Sequence, residues 1–168
     1  MPLVLKKAVT VIAVDDPREA NAIRTLLEGL DYQVTVHWVG SRREFVELLA
    51  GRIRTDDTVI LSCHGGGDGI YMPDERPVGP VDLLEVANLG GKTVVSLGCM
   101  TGSLAFADAF KRAGALHYIA PIDYPEGRAA IGFTANLFFL LASGADLRGA
   151  VDRASGFHEE MSQFDLLV

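Results

Sequence analysis

Cysteine is scarce in this chain. Its two residues, Cys63 and Cys99, cannot build a disulfide framework, and no second Cys/His cluster offers metal-ligand spacing, so no structural zinc or other metal site is expected. Both are read as free thiols. Basic residues are also outnumbered: 15 Lys and Arg against 22 Asp and Glu give a formal net charge of −7 and a pI near 5.0. That balance argues against general affinity for nucleic acid or an anionic membrane, which need clustered cations. No apolar run reaches the roughly 20 residues that cross a bilayer. The most apolar window, residues 129–142, contains Thr134 and Asn136 and reads as a buried helix. The start, Met1-Pro2-Leu3-Val4-Leu5-Lys6-Lys7, lacks the long apolar stretch and small-residue cleavage site of a secretory leader, so a cytoplasmic location is expected. Neither an internal repeat nor a low-complexity linker interrupts the chain.

What is present is a single domain's worth of core. With 168 residues, 49% of them hydrophobic, residues 1–168 are expected to form one unit. Short β-branched runs at 8–14, 33–39, 58–63, 93–97 and 115–122 predict strands. Between them lie helical patterns: one begun by Asp15-Asp16-Pro17, one capped by Ser41 with Glu44 three residues on, and further helices at 81–89, 103–113, 127–142 and 147–161. Residues 70–72 suggest a small hairpin before a Pro-rich turn at 73–80, and 164–168 an edge strand or a tail. Alternating strands and helices predict an α/β three-layer sandwich, helices on both faces of a mainly parallel sheet of five or six strands.

Two of the strands end in reactive residues. The run at 58–63 ends at His64, followed by Gly65-Gly66-Gly67-Asp68-Gly69; the run at 92–98 ends at Cys99, followed by Met100-Thr101-Gly102-Ser103. In parallel sheets ligands bind outside the carboxyl ends of the strands, and neighbouring strand ends lie about 5 Å apart. A thiol attacks as its thiolate, so a base and a following helix N-terminus favour Cys99 as nucleophile and His64 as proton shuttle. Gly65 and Gly66 let the backbone approach a substrate carbonyl, and their N–H groups with that of Cys99 form a candidate oxyanion hole. The bland alternative is an ordinary strand-end histidine and a buried thiol. Cys63, one residue before His64, points to the opposite face and reads as core.

Ser62-Cys63-His64-Gly65 and Ser96-Leu97-Gly98-Cys99-Met100-Thr101-Gly102 resemble the two signature segments of the caspase-like cysteine peptidases, and within them the CHAT domains. The likeness spans roughly residues 59–154. It implies a caspase-like fold, a cysteine endopeptidase activity without a cofactor, a His64/Cys99 dyad, and an oxyanion-hole N–H from Gly65. Gly98 stands where alanine is usual and Met100 where an acidic residue is common. Asp68 and Asp123 fall on the same edge, where either can accept a basic substrate side chain or be merely a solvated loop carboxylate. The expected partner is a protein or peptide substrate, with a second copy of the chain or an activating protein as further candidates. The surplus of apolar residues at Phe133, Leu137, Phe138, Leu140 and Leu141 fits deep burial or a subunit contact.

Three other readings compete. A caspase-like scaffold or sensor without turnover keeps the same residues. A response-regulator receiver is suggested by Val14-Asp15-Asp16, but the third strand ends in Cys63-His64 rather than an aspartate and the fifth in Pro121-Ile122 rather than a lysine. Asp15 and Asp16 then serve as helix caps. An α/β-hydrolase elbow fails because Met100, not Cys99, is central in Gly98-Cys99-Met100-Thr101-Gly102.

Overall fold

A computed structural model describes residues 7–73 and 75–168; residues 1–6, read above for a leader, and Asp74, within the expected Pro-rich turn, lie outside them. Five parallel strands, β1 (Ala8–Val14), β2 (Gln33–Val39), β3 (Thr58–Ser62), β7 (Thr93–Ser96) and β8 (His117–Pro121), are joined by β9 (Phe164–Leu166), which runs antiparallel at the edge. The order is β2-β1-β3-β7-β8-β9, a six-stranded sheet. Helices α1 (Pro17–Gly29), α5 (Gly127–Ala142) and α6 (Leu147–Ser155) bury Ile23, Leu27, Phe133, Leu137 and Val151 against one face. Helices α2 (Arg42–Leu49), α3 (Pro80–Val86) and α4 (Leu104–Arg112) bury Phe45, Leu49, Leu83, Phe106 and Phe110 against the other. Three layers result, as the alternation predicts. Among the described residues no helix is long and apolar enough to cross a membrane.

The caps follow the sequence closely. Asp16 accepts from the Arg18 amide at 2.9 Å and begins α1 with Pro17 at its first position. Ser41 accepts from the Glu44 amide, while the Glu44 carboxylate reaches back to the Gly40 amide at 2.9 Å. In α5 the surplus apolar residues are mostly used within the chain: Phe133, Leu137 and Phe138 are buried, and Leu140 and Leu141 pack partly on the same core.

Four local expectations are corrected. Gly65–Gly66 is not loop but strand β4, which pairs with β5 (Gly69–Met72), and β5 pairs with β6 (Glu75–Val78) to make a small antiparallel sheet. The Pro-rich stretch is therefore largely strand. Pro77 is tolerated because β6 is an edge that need not donate on both sides. The helix expected to 89 ends at Val86, since the Asn88 and Leu89 amides are taken by the carbonyls of Leu49 and Ala113. The last helix stops at Ser155, where Gly156 caps it and His158 begins a separate 3-10 turn (η1, Glu159–Gln163) by accepting from the Glu160 amide.

Candidate active site

The register of β3 and β7 places His64 and Cys99 at the same edge of the sheet. Leu61 pairs with Ser96, and each reactive residue lies three positions beyond its member of that pair, so both leave the sheet at the same level on adjacent strands. The two loops then touch through their backbones. A Cβ added to Gly65 would lie 2.6 Å from the Cys99 carbonyl oxygen and 3.1 Å from Thr101 Cγ2. Only a glycine fits there. The Tyr71 amide donates to the His64 carbonyl at 2.9 Å, which puts Gly65 at the non-hydrogen-bonded position opposite Ile70. Its N–H therefore points away from β5.

The Cys99 loop is bolted from below. Thr101 Oγ1 donates to the Gly98 carbonyl at 2.7 Å and lies 2.8 Å from Ser96 Oγ, while the Tyr118 hydroxyl donates to the Thr101 carbonyl at 2.7 Å. The Met100 and Gly102 amides donate to the carbonyls of Asp123 and Pro121 at 3.0 and 2.8 Å. Those bonds hold Met100 at φ 60°, a left-handed turn that a non-glycine residue adopts only under such constraint. They also consume the amides between Cys99 and α4. The helix N-terminus expected to assist the thiolate is capped by Ser103, which accepts from the Phe106 amide.

The electrostatics differ from the expectation of an easily ionised thiol. Cys99 is half-buried, and burial pushes its thiol above the ordinary cysteine range; the charges of Glu19 and Asp123 push the same way, and its own backbone amide opposes them. Cys63 is core, as expected from its facing. Its thiol is pushed up to about 12, chiefly by burial. Gly98 makes room for it, because a Cβ at position 98 would stand 3.0 Å from Cys63 Sγ. Gly98 thus matches a neighbouring side chain.

Glu19 is the group that sequence reasoning missed. It lies in the first turn of α1, accepts a 2.6 Å hydrogen bond from Ser62 Oγ, and feels the charge of His64. Burial raises its carboxyl above the usual range, against the pull of Ser62 and His64. One signal was available: Glu19, Ile23 and Leu27 recur at four-residue spacing, so a carboxylate sits on the helix's apolar stripe. Asp68 lies exposed in the β4–β5 turn, where its charge and hydrogen bonding raise the Tyr71 hydroxyl, which in turn senses Tyr124 and Cys99. The exposed Asp123 carboxylate accepts from the Tyr124 amide at 2.9 Å. One edge of the sheet thus carries a thiol, an imidazole, three carboxylates and two exposed tyrosines. Among the described residues no group of three or more His, Cys, Asp or Glu is arranged to hold a metal ion.

No family profile and no curated protein sequence matches the chain. Among solved structures, the Arg-specific cysteine proteinase gingipain R superposes with a TM-score of 0.60 and 12% identity, over 94% of this chain and 44% of its own. A complex of the pro- and mature domains of RgpB from Porphyromonas gingivalis gives 0.61 and 12%, over 94% and 45%. This chain spans less than half the length of either. A receiver domain from Clostridium thermocellum gives a TM-score of 0.42 and 22% identity, over 80% of this chain and 98% of its own. The chain therefore shares the fold of these two structures, a three-layer α/β sandwich with a mainly parallel six-stranded sheet.

Proposed function

We propose that this domain is a cysteine endopeptidase of the caspase-like class, akin to the CHAT domains, working through Cys99 and His64. The observation that carries the reading is the shared exit level of the two residues from adjacent strands, with Gly65 packed on the Cys99 carbonyl. Cys99 Sγ attacks the peptide carbonyl as His64 takes the thiol proton. The oxyanion is met by the Gly65 and Cys99 N–H groups. Collapse breaks the C–N bond, and His64 gives its proton to the leaving amine. Water, deprotonated by His64, then opens the thioester and restores the thiol. Glu19 acts as a positioning residue, holding the end of β3 beside His64 through the hydrogen bond from Ser62 Oγ.

The acidic rim of Glu19, Asp68 and Asp123 favours a basic side chain before the cut, and the Arg specificity of gingipain R agrees in sign. One observation favours the silent scaffold instead, namely the upward push on the Cys99 thiol. Fluorogenic peptides ending in Arg, Lys or Asp separate these readings. Hydrolysis after Arg or Lys, reduced about 10³-fold or more in Cys99→Ala and His64→Ala, is expected. Cleavage only after Asp overturns the basic preference, and undiminished hydrolysis in Cys99→Ala overturns the dyad.

A further inference from the structure

Tyr71 is placed beside His64 by the small antiparallel sheet. Gly65 pairs with Ile70, and the Tyr71 amide donates to the His64 carbonyl at 2.9 Å, so His64 and Tyr71 stand directly opposite each other. Opposed residues project from the same face of a sheet, and Gly66, two residues beyond His64, belongs to that face too. A Cβ added to Gly66 would run into the Tyr71 hydroxyl, and would stand 3.0 Å from Tyr71 Cζ and 3.3 Å from Asp68 Oδ1. The phenol end of the ring therefore rests on bare backbone, with a carboxylate at its rim.

The fold makes no use of this ring in its core. Ile70 and Met72, on either side of it in β5, are buried among the apolar side chains under the sheet, whereas Tyr71 turns outward and stays 45% exposed. Among the described residues no Lys or Arg pairs with the exposed Asp68, so its charge is open to a ligand. The Tyr71 hydroxyl feels Asp68 most strongly and Cys99 more weakly, which agrees with ring, carboxylate and thiol sharing one side of the edge.

We propose that Tyr71 determines specificity, as the aromatic platform for an arginine side chain preceding the cut: the guanidinium lies flat on the ring and donates to the Asp68 carboxylate. This inference rests on the endopeptidase reading and narrows its basic preference to Arg over Lys. A guanidinium is planar and weakly hydrated, so it can stack on a ring while its fork meets a carboxylate. An ammonium is a compact, strongly hydrated point charge and gains less from the same surface. Citrulline keeps the shape of arginine without its charge, and loses the attraction to both groups.

Acetylated tripeptide amides that differ only in a final Arg, Lys or citrulline, titrated into the full chain carrying Cys99→Ala, test the contact without turnover. Calorimetry reads the affinity and the NMR resonances of the Tyr71 ring read the place. The Arg peptide is expected to shift the ring saturably and to bind about tenfold more tightly than the other two. Tyr71→Leu should bring the Arg and Lys peptides to equal affinity, whereas Tyr71→Phe keeps them apart, because the ring and not the hydroxyl carries the discrimination. Absence of saturable binding, equal affinity for Arg and Lys in the chain that keeps Tyr71, or a difference that survives Tyr71→Leu overturns the proposal. So does a loss in Tyr71→Phe as complete as in Tyr71→Leu. Hydrolysis by the chain with Cys99 intact is read separately: Arg-selective binding without hydrolysis of any peptide supports the platform and contradicts the endopeptidase reading, and hydrolysis with no preference for Arg does the reverse.

Discussion

Gly65 presses on the carbonyl of Cys99 so closely that a side chain of any size would displace the loop carrying the thiol. Gly65→Ala is therefore expected to cost about 1–3 kcal/mol of stability, the usual range for overpacking. It should also abolish Cys99-dependent hydrolysis. Urea denaturation and peptide cleavage measured on the same preparation check both. A variant as stable and active as the parent would mean that the two loops do not meet as described.

Gly98 and Cys63 form a second matched pair, with 3.0 Å between the sulfur and a Cβ built on the glycine. Gly98→Ala alone should destabilise the fold, and should do so much less in a Cys63→Ala background. A double-mutant cycle reads the coupling, expected to fall in the range of about 0.5–3 kcal/mol for residues in contact. Simple additivity would mean that the two residues are not matched.

Much of this arrangement was legible in the sequence. The strands carrying His64 and Cys99 are short β-branched runs, and their alternation with capped helices fixed a parallel sheet before any geometry was available. What stayed hidden arises from contacts distant in sequence. Gly65–Gly66 reads as a loop because glycine has low strand propensity, yet it is held in a ladder by Ile70 and Gly69. The early end of α3 depends on carbonyls supplied by Leu49 and Ala113. The raised thiol of Cys99 escaped the sequence for the same reason: it comes first from burial in the folded chain and then from Glu19, 80 residues away.

Glu19 also gives a prediction of opposite sign for two measurements. Glu19→Gln removes a negative charge that pushes the Cys99 thiol up, so alkylation of Cys99 near pH 7 should become faster. His64-dependent hydrolysis should become slower, because the Ser62 hydroxyl that anchors the end of β3 beside His64 loses its carboxylate acceptor. Alkylation read by peptide mass spectrometry has an internal control in Cys63, which should resist at any pH that leaves the protein folded. Slower alkylation in Glu19→Gln would contradict the electrostatic account.

The small sheet bearing Gly65 and Tyr71 is pinned by Asp82. Its carboxylate accepts from Arg76 at 2.7 and 3.1 Å, from Arg42 at 2.7 Å and from the Gly79 amide at 3.0 Å. Hydrogen bonding from Arg76, helped by Gly79 and Arg42, outweighs burial and holds the Asp82 carboxyl below the usual range. A depressed folded-state pKa stabilises the fold above the unfolded value of about 3.9 and loses that contribution as pH falls through the folded one. Asp82→Asn should therefore lower stability by about 1–3 kcal/mol at pH 7 and by much less at pH 2. Urea denaturation at the two pH values tests it; an equal loss at both would show that the charge is irrelevant.

A peptidyl acyloxymethyl ketone with Arg in the terminal position tests the dyad itself, since a competent thiol displaces the carboxylate and keeps the peptide covalently. The account predicts stoichiometric labelling of Cys99, none at Cys63, and a large loss of rate in His64→Ala. Labelling that proceeds equally well without His64, or that never occurs at Cys99 in the parent protein, would contradict it.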